Sequence, residues 1–158
     1  MQRKSFGYMQ CPIARSLERV GEWWSILILR DALHGLTRFD QFQKSLDIAP
    51  NILTRRLNTL VTSGLLERRR YSERPARYEY LPTERGRDFR PVLLSLLAWG
   101  NKHFAPEGPS VVVIDTKTDK PVDAVLIDRA SGEPIAAPRF RTAPGPAADE
   151  HTRRRHTH

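Results

Sequence analysis

The 158-residue chain is short of cysteine and of long apolar runs, and each shortage excludes a class of protein. Its single cysteine, Cys11, cannot form an intramolecular disulfide, which excludes a disulfide-stapled secreted fold and favours a reducing compartment. Purely apolar runs such as residues 26–29 reach only four residues, far below the roughly 18 that a bilayer requires. The charged N-terminus is followed by no apolar segment of the kind found in secretory signals. We therefore expect a cytoplasmic protein with no membrane partner.

Groups that could carry catalysis or hold a metal are also scarce. The sequence contains no glycine-rich phosphate loop and no serine nucleophile elbow. Three of its five histidines fall within the last eight residues, in a segment too polar to form a packed site. We therefore expect no enzyme activity, no cofactor and no metal site.

The charge is basic and unevenly distributed along the chain. Lys and Arg total 26 against 18 Asp and Glu, which gives a formal charge of +8. Residues 1–104 carry 18 basic and 10 acidic side chains, whereas residues 105–158 carry 8 of each. A compact basic region attracts polyanions through its long-range potential and through counterion release. Nucleic acid is the favoured partner. An anionic membrane surface is the weaker candidate and is not the expected partner, and a charge that only aids solubility is the alternative.

The composition changes at Ala105, where apolar residues at helical spacing give way to frequent prolines. We predict a helical domain over residues 1–104, a β-hairpin extension over 105–138, and a basic tail over 139–158 that is too poor in apolar residues to be ordered. The extension contains a repeat, because the segment at Ile114 returns thirteen residues later and each copy is typical of strand, turn, strand. Two linked hairpins are too small to stand alone, so they must dock on the helical domain or on a second subunit.

The first hundred residues predict helices followed by a hairpin with a basic tip, which is the winged helix-turn-helix arrangement. The fold class is therefore mainly α with a small β-hairpin wing. Pro91 lies inside the last helical pattern and predicts either a kink or a late start for that helix. The predicted elements are helices over 12–20, 23–33, from about 39, and 50–63, strands over 65–72 and 77–82, and a last helix capped by Thr83.

The fourth helix supplies the candidate surface for reading DNA. Leu53, Leu57 and Leu60 share one face, and polar residues occupy the opposite one. Amide and guanidinium groups can pair with adenine and guanine edges, whereas arginines outside this helix would meet phosphates or the minor groove. A merely solvated amphipathic helix is the competing interpretation, and Arg56 can equally brace the domain through an ion pair. The predicted DNA-binding residues are Arg38, Pro50, Asn51, Thr54, Arg55, Arg56, Asn58, Arg74 and Arg77.

Short segments in a fixed order carry a family resemblance. They are Cys11-Pro12, Gly21 to Arg30, Arg38-Phe39, Leu53 to Leu57, Ser63 to Leu65, Arg74 to Tyr80, Thr83 to Gly86 and Trp99-Gly100. In this combination the chain resembles the HxlR-type transcriptional regulators over roughly Cys11 to Gly100. The resemblance implies a bacterial homodimer, built by the first and last helices, whose two recognition helices address a pseudo-palindromic operator. It implies transcriptional regulation, most simply repression by steric occupation of promoter DNA.

Two hypotheses concern regulation by an oxidant or a small-molecule effector. Cys11 precedes a helix N-terminus, where the helix dipole can stabilise a thiolate, and the resemblance implies a sensor cysteine in some relatives. An inert thiol at a cap position is the alternative. The family pattern usually has glycine and then a basic residue before its tryptophan, whereas this chain has Glu22 and Trp23 before Trp24. The extra indole means that Trp23 and Trp24 can line a ligand pocket or can simply enlarge the core. The alternative function is a small-molecule or protein-binding module in which the winged domain serves only as a dimer scaffold.

Overall fold

The computed structural model describes residues 11–156, and the chain forms two compact units, residues 1–90 and 91–158. The change of composition places the predicted boundary at Ala105, whereas the two units divide between Arg90 and Pro91. Residues 1–10 of the predicted first domain and the last two residues of the predicted tail lie outside the described residues. No helix in the described part is both long and apolar enough to cross a bilayer.

The first unit has the predicted order of helices followed by a hairpin. Its elements are α1 Pro12–Val20, α2 Trp23–Leu33, α3 Phe39–Leu46, α4 Pro50–Thr62, β1 Leu66–Glu73, β2 Ala76–Pro82 and α5 Glu84–Arg87. Proline occupies the first turn of α1 and of α4, where its missing N–H costs no intrahelical bond. The strands β1 and β2 pair antiparallel. The predicted mainly helical fold with a small hairpin wing is confirmed.

The core of this unit lies between α2, α3, α4 and the start of β1. Its fully buried apolar side chains are Ile28, Leu29, Phe42, Leu53, Leu57, Leu60 and Leu66. Burying each of them stabilises the fold by roughly 1.5–3 kcal/mol. The three leucines of α4 recur at spacings of four and three residues, so they occupy one side of that helix. The same spacing leaves the opposite side of α4 in solvent.

The C-terminal end of α4 is fixed by the residues that begin α5. Gly64 follows the cap residue Ser63 with a φ of +70°, a left-handed conformation that glycine adopts without strain. The Thr83 hydroxyl donates to the Gly64 carbonyl at 2.6 Å, and the Arg85 guanidinium donates to the Ser63 carbonyl at 3.0 Å. These bonds satisfy carbonyls that a helix end leaves without partners, and they tie α4 to the strand-to-helix junction after the wing.

A second helical run, α6, spans Arg90–Phe104. Residues 88 and 89 separate it from α5, so Thr83 caps the short α5 and not this long helix, for which the sequence predicts that cap. Of the two alternatives predicted from Pro91 the structure has the late start, since proline is tolerated in a first helical turn. Although α6 is rich in leucine, none of its residues is buried. Trp99 and Phe104 are 54% and 66% exposed, and they stack edge to face with ring centroids 4.9 Å apart.

The thirteen-residue repeat has a structural counterpart. In the first copy β3, Ile114–Asp115, pairs with β4, Lys120–Pro121, and in the second copy Ile127 bridges to Pro134. The two pairings differ by thirteen positions on both sides. A backbone bond of 2.8 Å extends each hairpin at equivalent places, from Val122 to Val113 and from Ile135 to Leu126. The predicted hairpin character of the extension is therefore present in the structure.

The two turns of the repeat use different residues for the same backbone conformation. Asp119 has a φ of +54°, and Gly132, at the equivalent position, has a φ of +71°. In the second turn the Asp128 carboxylate accepts from the Ser131 hydroxyl at 2.7 Å and from the Ser131 N–H at 2.9 Å. These bonds, chiefly the one from the hydroxyl, lower the pKa of Asp128.

A short helix, α7, spans Glu150–Arg154 in the segment for which the sequence predicts disorder. Its N-cap Asp149 accepts a bond of 2.7 Å from the Thr152 N–H. Side-chain and backbone bonds from Thr152 lower the pKa of Asp149. A low content of bulky apolar residues predicts disorder, but a short helix that starts from a local cap does not depend on such residues.

Candidate nucleic-acid interface

The exposed side of α4 presents four of the predicted residues together. Asn51, Thr54, Arg55 and Asn58 are all exposed, and they line a shallow groove of about 500 Å³ that continues to Ser63. Pro50, at the N-terminal end of the same helix, is exposed as well. The buried leucines on the other side hold this surface to the core, so its side chains are displayed by a rigid element.

The polar groups of this surface are largely uncommitted. The side chains of Arg55 and Asn58 make no hydrogen bond or ion pair with any of the described residues. The Asn51 Oδ1 accepts from the Ile52 N–H at 2.9 Å, which leaves the Asn51 amide hydrogens as donors. The Thr54 hydroxyl donates to the Pro50 carbonyl at 2.8 Å and retains its lone pairs as acceptors. Donors and acceptors for base edges are thus present side by side.

Arg56 differs from its neighbour because an acidic side chain holds it. Its Nε lies 2.9 Å from the Glu22 Oε2, and the two side chains are only 18% and 16% exposed. The Nε–H does not point at that oxygen, so the contact is an ion pair rather than a hydrogen bond. The same carboxylate caps α2 by accepting from the Ser25 N–H. The bracing role considered for Arg56 is present, and its contact with DNA stays a prediction.

All three arginines of β1 are engaged within the hairpin. Arg69 pairs with Glu79 at 2.8 Å, and Arg70 donates to the carbonyls of Ser72 and Glu73 at the turn. The third arginine, Arg68, stacks over the Tyr78 ring with its Cζ 4.6 Å from the centroid. The three arginine side chains therefore make their contacts within the hairpin and help to stabilise the wing.

The arginines at the wing tip are in the opposite situation. Arg74 and Arg77 are exposed, and their side chains form no ion pair or hydrogen bond within residues 11–156. Their charge is therefore not offset locally. This is the condition that a phosphate or minor-groove contact requires.

Arg38, the remaining predicted residue, lies where the wing meets α3. The Tyr80 N–H donates to the Thr37 carbonyl at 2.7 Å, and Arg38 forms a bridge with Glu79. The Arg38 Cζ lies 4.9 Å from the centre of the Tyr71 ring. Thr37 and Arg38 thus pair with β2 and add a short third strand segment to the wing. Sequence reasoning missed Tyr71 and Tyr78, although tyrosines next to arginines in a basic hairpin could have indicated them.

The candidate regulatory residues lie in the first two helices. Cys11 is the N-cap residue of α1 and is half-buried, at the helix start that the sequence predicts. The Trp23 indole is 71% exposed, whereas Trp24 packs against the hydrophobic core. The two indoles therefore lie in different surroundings. Among residues 11–156, no three His, Cys, Asp or Glu side chains are grouped as a metal ion would require.

Comparison with known proteins identifies relatives of this architecture. A family model described as HxlR-like helix-turn-helix matches residues 19–108. An HTH-type transcriptional regulator of Mycobacterium tuberculosis is 40% identical over 135 residues, which cover 85% of each chain. A solved structure of a Pseudomonas aeruginosa transcription factor is 57% identical, with a TM-score of 0.67 over 92% of this chain and 99% of that one. The redox regulator HypR in its reduced form is 29% identical, with a TM-score of 0.55 over 58% of this chain and 92% of its own.

Proposed function

The chain belongs to the HxlR-like helix-turn-helix family and is a transcriptional regulator, and from this premise we propose that it binds one DNA sequence selectively as a homodimer. The observation that carries the proposal is the exposed side of α4, where Arg55 and Asn58 have no partner among the described residues. Such a helix fits the major groove, which an α-helix can enter and where each base pair presents a distinct pattern of donors and acceptors.

Different residues serve affinity and selectivity in this proposal. Arg55 reads guanine through two parallel hydrogen bonds, and Asn51 or Asn58 reads adenine in the same way; each such pair discriminates by about 1–3 kcal/mol. Arg74 and Arg77 contact phosphates or the minor groove, which fixes register without reading sequence. The ion pair to Glu22 keeps Arg56 on the protein side of the interface.

The homodimer is supported by apolar side chains that a monomer would leave in water. On α1, Ile13 and Leu17 are 71% and 45% exposed, and on α6 Trp99 and Phe104 are more than half exposed. Large apolar side chains that a protein leaves exposed mark interaction sites. A two-fold dimer would bury the same residues from both copies and would place the two α4 helices about one DNA turn apart. The operator of such a dimer is pseudo-palindromic. In this proposal the protein is cytoplasmic, and the bound dimer represses transcription by occupying the promoter.

Regulation through Cys11 is part of the proposal. The relative HypR is described as a redox regulator, and Cys11 lies at a helix N-terminus, where a thiolate is favoured. Two Cys11 thiols from two copies can reduce one molecule of hydrogen peroxide, forming one intersubunit disulfide and two molecules of water. An electrophile can instead form an adduct with a single Cys11 thiolate. A small-molecule effector near Trp23 and Trp24 is the other route to regulation that we propose to test.

Selection of bound oligonucleotides from a random pool tests the proposed function. The selected duplex and a shuffled version of it are then titrated with protein over a range of salt concentrations. We expect the selected duplex to bind at least about a hundredfold more tightly than the shuffled one. In a plot of log affinity against log salt concentration, each neutralised phosphate should contribute about −0.9 to the slope. Equal binding of both duplexes would contradict the proposal and favour a dimer scaffold that binds small molecules or proteins.

A further inference from the structure

Tyr71 is the extra residue of a bulge in the wing. Its neighbours Arg70 and Ser72 pair with Tyr78 and Arg77, which are consecutive on β2, so Tyr71 has no partner across the hairpin. A bulge of this kind redirects a side chain that would otherwise follow the regular alternation of the strand. Here the redirected ring faces the guanidinium of Arg38, whose Cζ is 4.9 Å from the ring centre.

The contact between Arg38 and Tyr71 connects two parts of the DNA-binding unit. Arg38 is the N-cap residue of α3, and its N–H donates to the Gln41 side chain at 3.0 Å. The backbone at this point is already fixed to the wing by the 2.7 Å bond from Tyr80 to Thr37. The stacking contact adds what these backbone bonds cannot supply, which is a defined position for the long Arg38 side chain.

The charge of Arg38 is not offset by a carboxylate. Glu79, which forms the backbone bridge with Arg38, has its carboxylate paired with Arg69 at 2.8 and 2.9 Å. Arg38 itself makes no ion pair with the part of the chain that the structure describes. A cation over an aromatic face is attracted by the electrons of the ring, and no guanidinium N–H of Arg38 donates a hydrogen bond to another described residue. All five guanidinium donors of Arg38 therefore remain for an anion.

We propose that Tyr71 is a positioning residue for DNA binding, because its ring holds the Arg38 guanidinium at the junction of wing and α3 with every N–H left for a backbone phosphate. This inference rests on the proposed DNA-binding function. Holding a flexible side chain before binding removes part of the ordering cost of the complex. Loss of the ring should therefore weaken binding by about three- to tenfold, and it should do so for every DNA sequence, since phosphates carry no sequence information.

A double-mutant cycle tests the inference with Tyr71→Leu, Arg38→Ala and the combined variant. Dissociation constants are measured for the selected operator and for shuffled DNA, and melting curves verify folding. We expect Tyr71→Leu to weaken binding to both duplexes in the wild-type background and to change it less than twofold in the Arg38→Ala background. Tyr71→Phe, which keeps the ring, should bind like the wild type. Should Tyr71→Leu fail to fold, Tyr71→Thr suits an exposed strand and removes the ring equally.

Tyr78→Leu is the matched control. Tyr78 lies on the same hairpin with nearly the same exposure as Tyr71, 38% against 40%, and it stacks with Arg68 instead of Arg38. We expect Tyr78→Leu to weaken binding less than Tyr71→Leu, and its effect to be unchanged by Arg38→Ala. A Tyr71→Leu effect that persists in full without Arg38, or a Tyr71→Phe variant as weak as Tyr71→Leu, would overturn the inference. Weaker DNA binding by Arg38→Ala together with unchanged binding by Tyr71→Leu would overturn the inference too. A wild-type protein that binds the operator and shuffled DNA equally would instead overturn the proposed function itself.

Discussion

Arg56 of α4 and Glu22 at the start of α2 form an ion pair of 2.9 Å in which both side chains are less than one-fifth exposed. Arg55, the next residue towards the N-terminus, lies in solvent. Adjacent arginines on one helix thus have opposite environments, because successive helical positions differ by about 100° in direction.

Arg56 and Arg55 should differ in their effect on stability. We expect Arg56→Ala to lower the free energy of unfolding by about 1–3 kcal/mol, since it leaves the largely buried Glu22 carboxylate without its cation. Arg55→Ala should change it by less than about 0.5 kcal/mol, as most surface substitutions do. Urea unfolding followed by circular dichroism measures both values. Equal stabilities of the two variants would contradict the bracing role of Arg56.

The apolar side chains of α1 and α6 predict the assembly state. A charge placed in a dimer interface cannot be buried without a partner, so Leu17→Glu and Trp99→Glu should each shift the protein from dimer to monomer. Sedimentation velocity at micromolar concentration measures the shift, and Asn58→Glu, on the exposed side of α4, is the control that should leave the dimer intact. A wild-type protein that sediments as a monomer at these concentrations would refute the dimer.

The duplicated hairpin allows an internal control. Gly132→Ala places a Cβ at a φ of +71°, and such a change costs about 1 kcal/mol. We expect faster hydrogen exchange of the Ile135 amide and an unchanged rate at Val122, the equivalent amide of the first hairpin. The reciprocal change, Asp119→Gly, should slow exchange at Val122. Equal acceleration at both amides after Gly132→Ala would show that the two hairpins do not open independently.

The Ser131 hydroxyl should control the titration of Asp128. It is the largest cause of the lowered pKa of that carboxyl, so Ser131→Ala should raise the pKa of Asp128 towards its ordinary value. Because the folded-state pKa is lowered, the turn is favoured above the ordinary pKa and loses this contribution as the pH falls through the folded value. NMR titration of the carboxyl carbons measures the change, with Asp149 as the carboxyl whose pKa should not move. An Asp128 pKa that Ser131→Ala leaves unaltered would contradict the assignment.

Local signals in the sequence predict the helices and the exposed side of α4. Proline at Pro12 and Pro50 marks two helix starts, and the spacing of Leu53, Leu57 and Leu60 identifies the buried side of α4 without any tertiary information. These features depend on residues within one or two helical turns. The interruption before Pro91 is predictable for the same reason.

Contacts between distant residues are not predictable in this way. The position of Arg56 beside the leucines suggests an ion pair, but nothing in the sequence identifies Glu22 as its partner, because α2 and α4 come together only in the folded core. The alternation of residues along β1 likewise does not indicate the bulge at Tyr71, because the bulge depends on how β1 and β2 pair. The residues that orient the candidate interface therefore emerge from the structure, whereas those that form its surface are visible in the sequence.

The insertion of α4 into the major groove is the central claim, and base selection by two arginine variants tests it most directly. Wild type, Arg55→Ala and Arg77→Ala are each used to select oligonucleotides from the same random pool, and affinities for the wild-type operator are measured at several salt concentrations. We predict that Arg55→Ala loses preference at one position in each half-site. Arg77→Ala should keep the preferred sequence but bind every duplex more weakly, with a salt slope smaller by about 1. An Arg55→Ala variant that selects the same operator with the same preference at every position would contradict the claim.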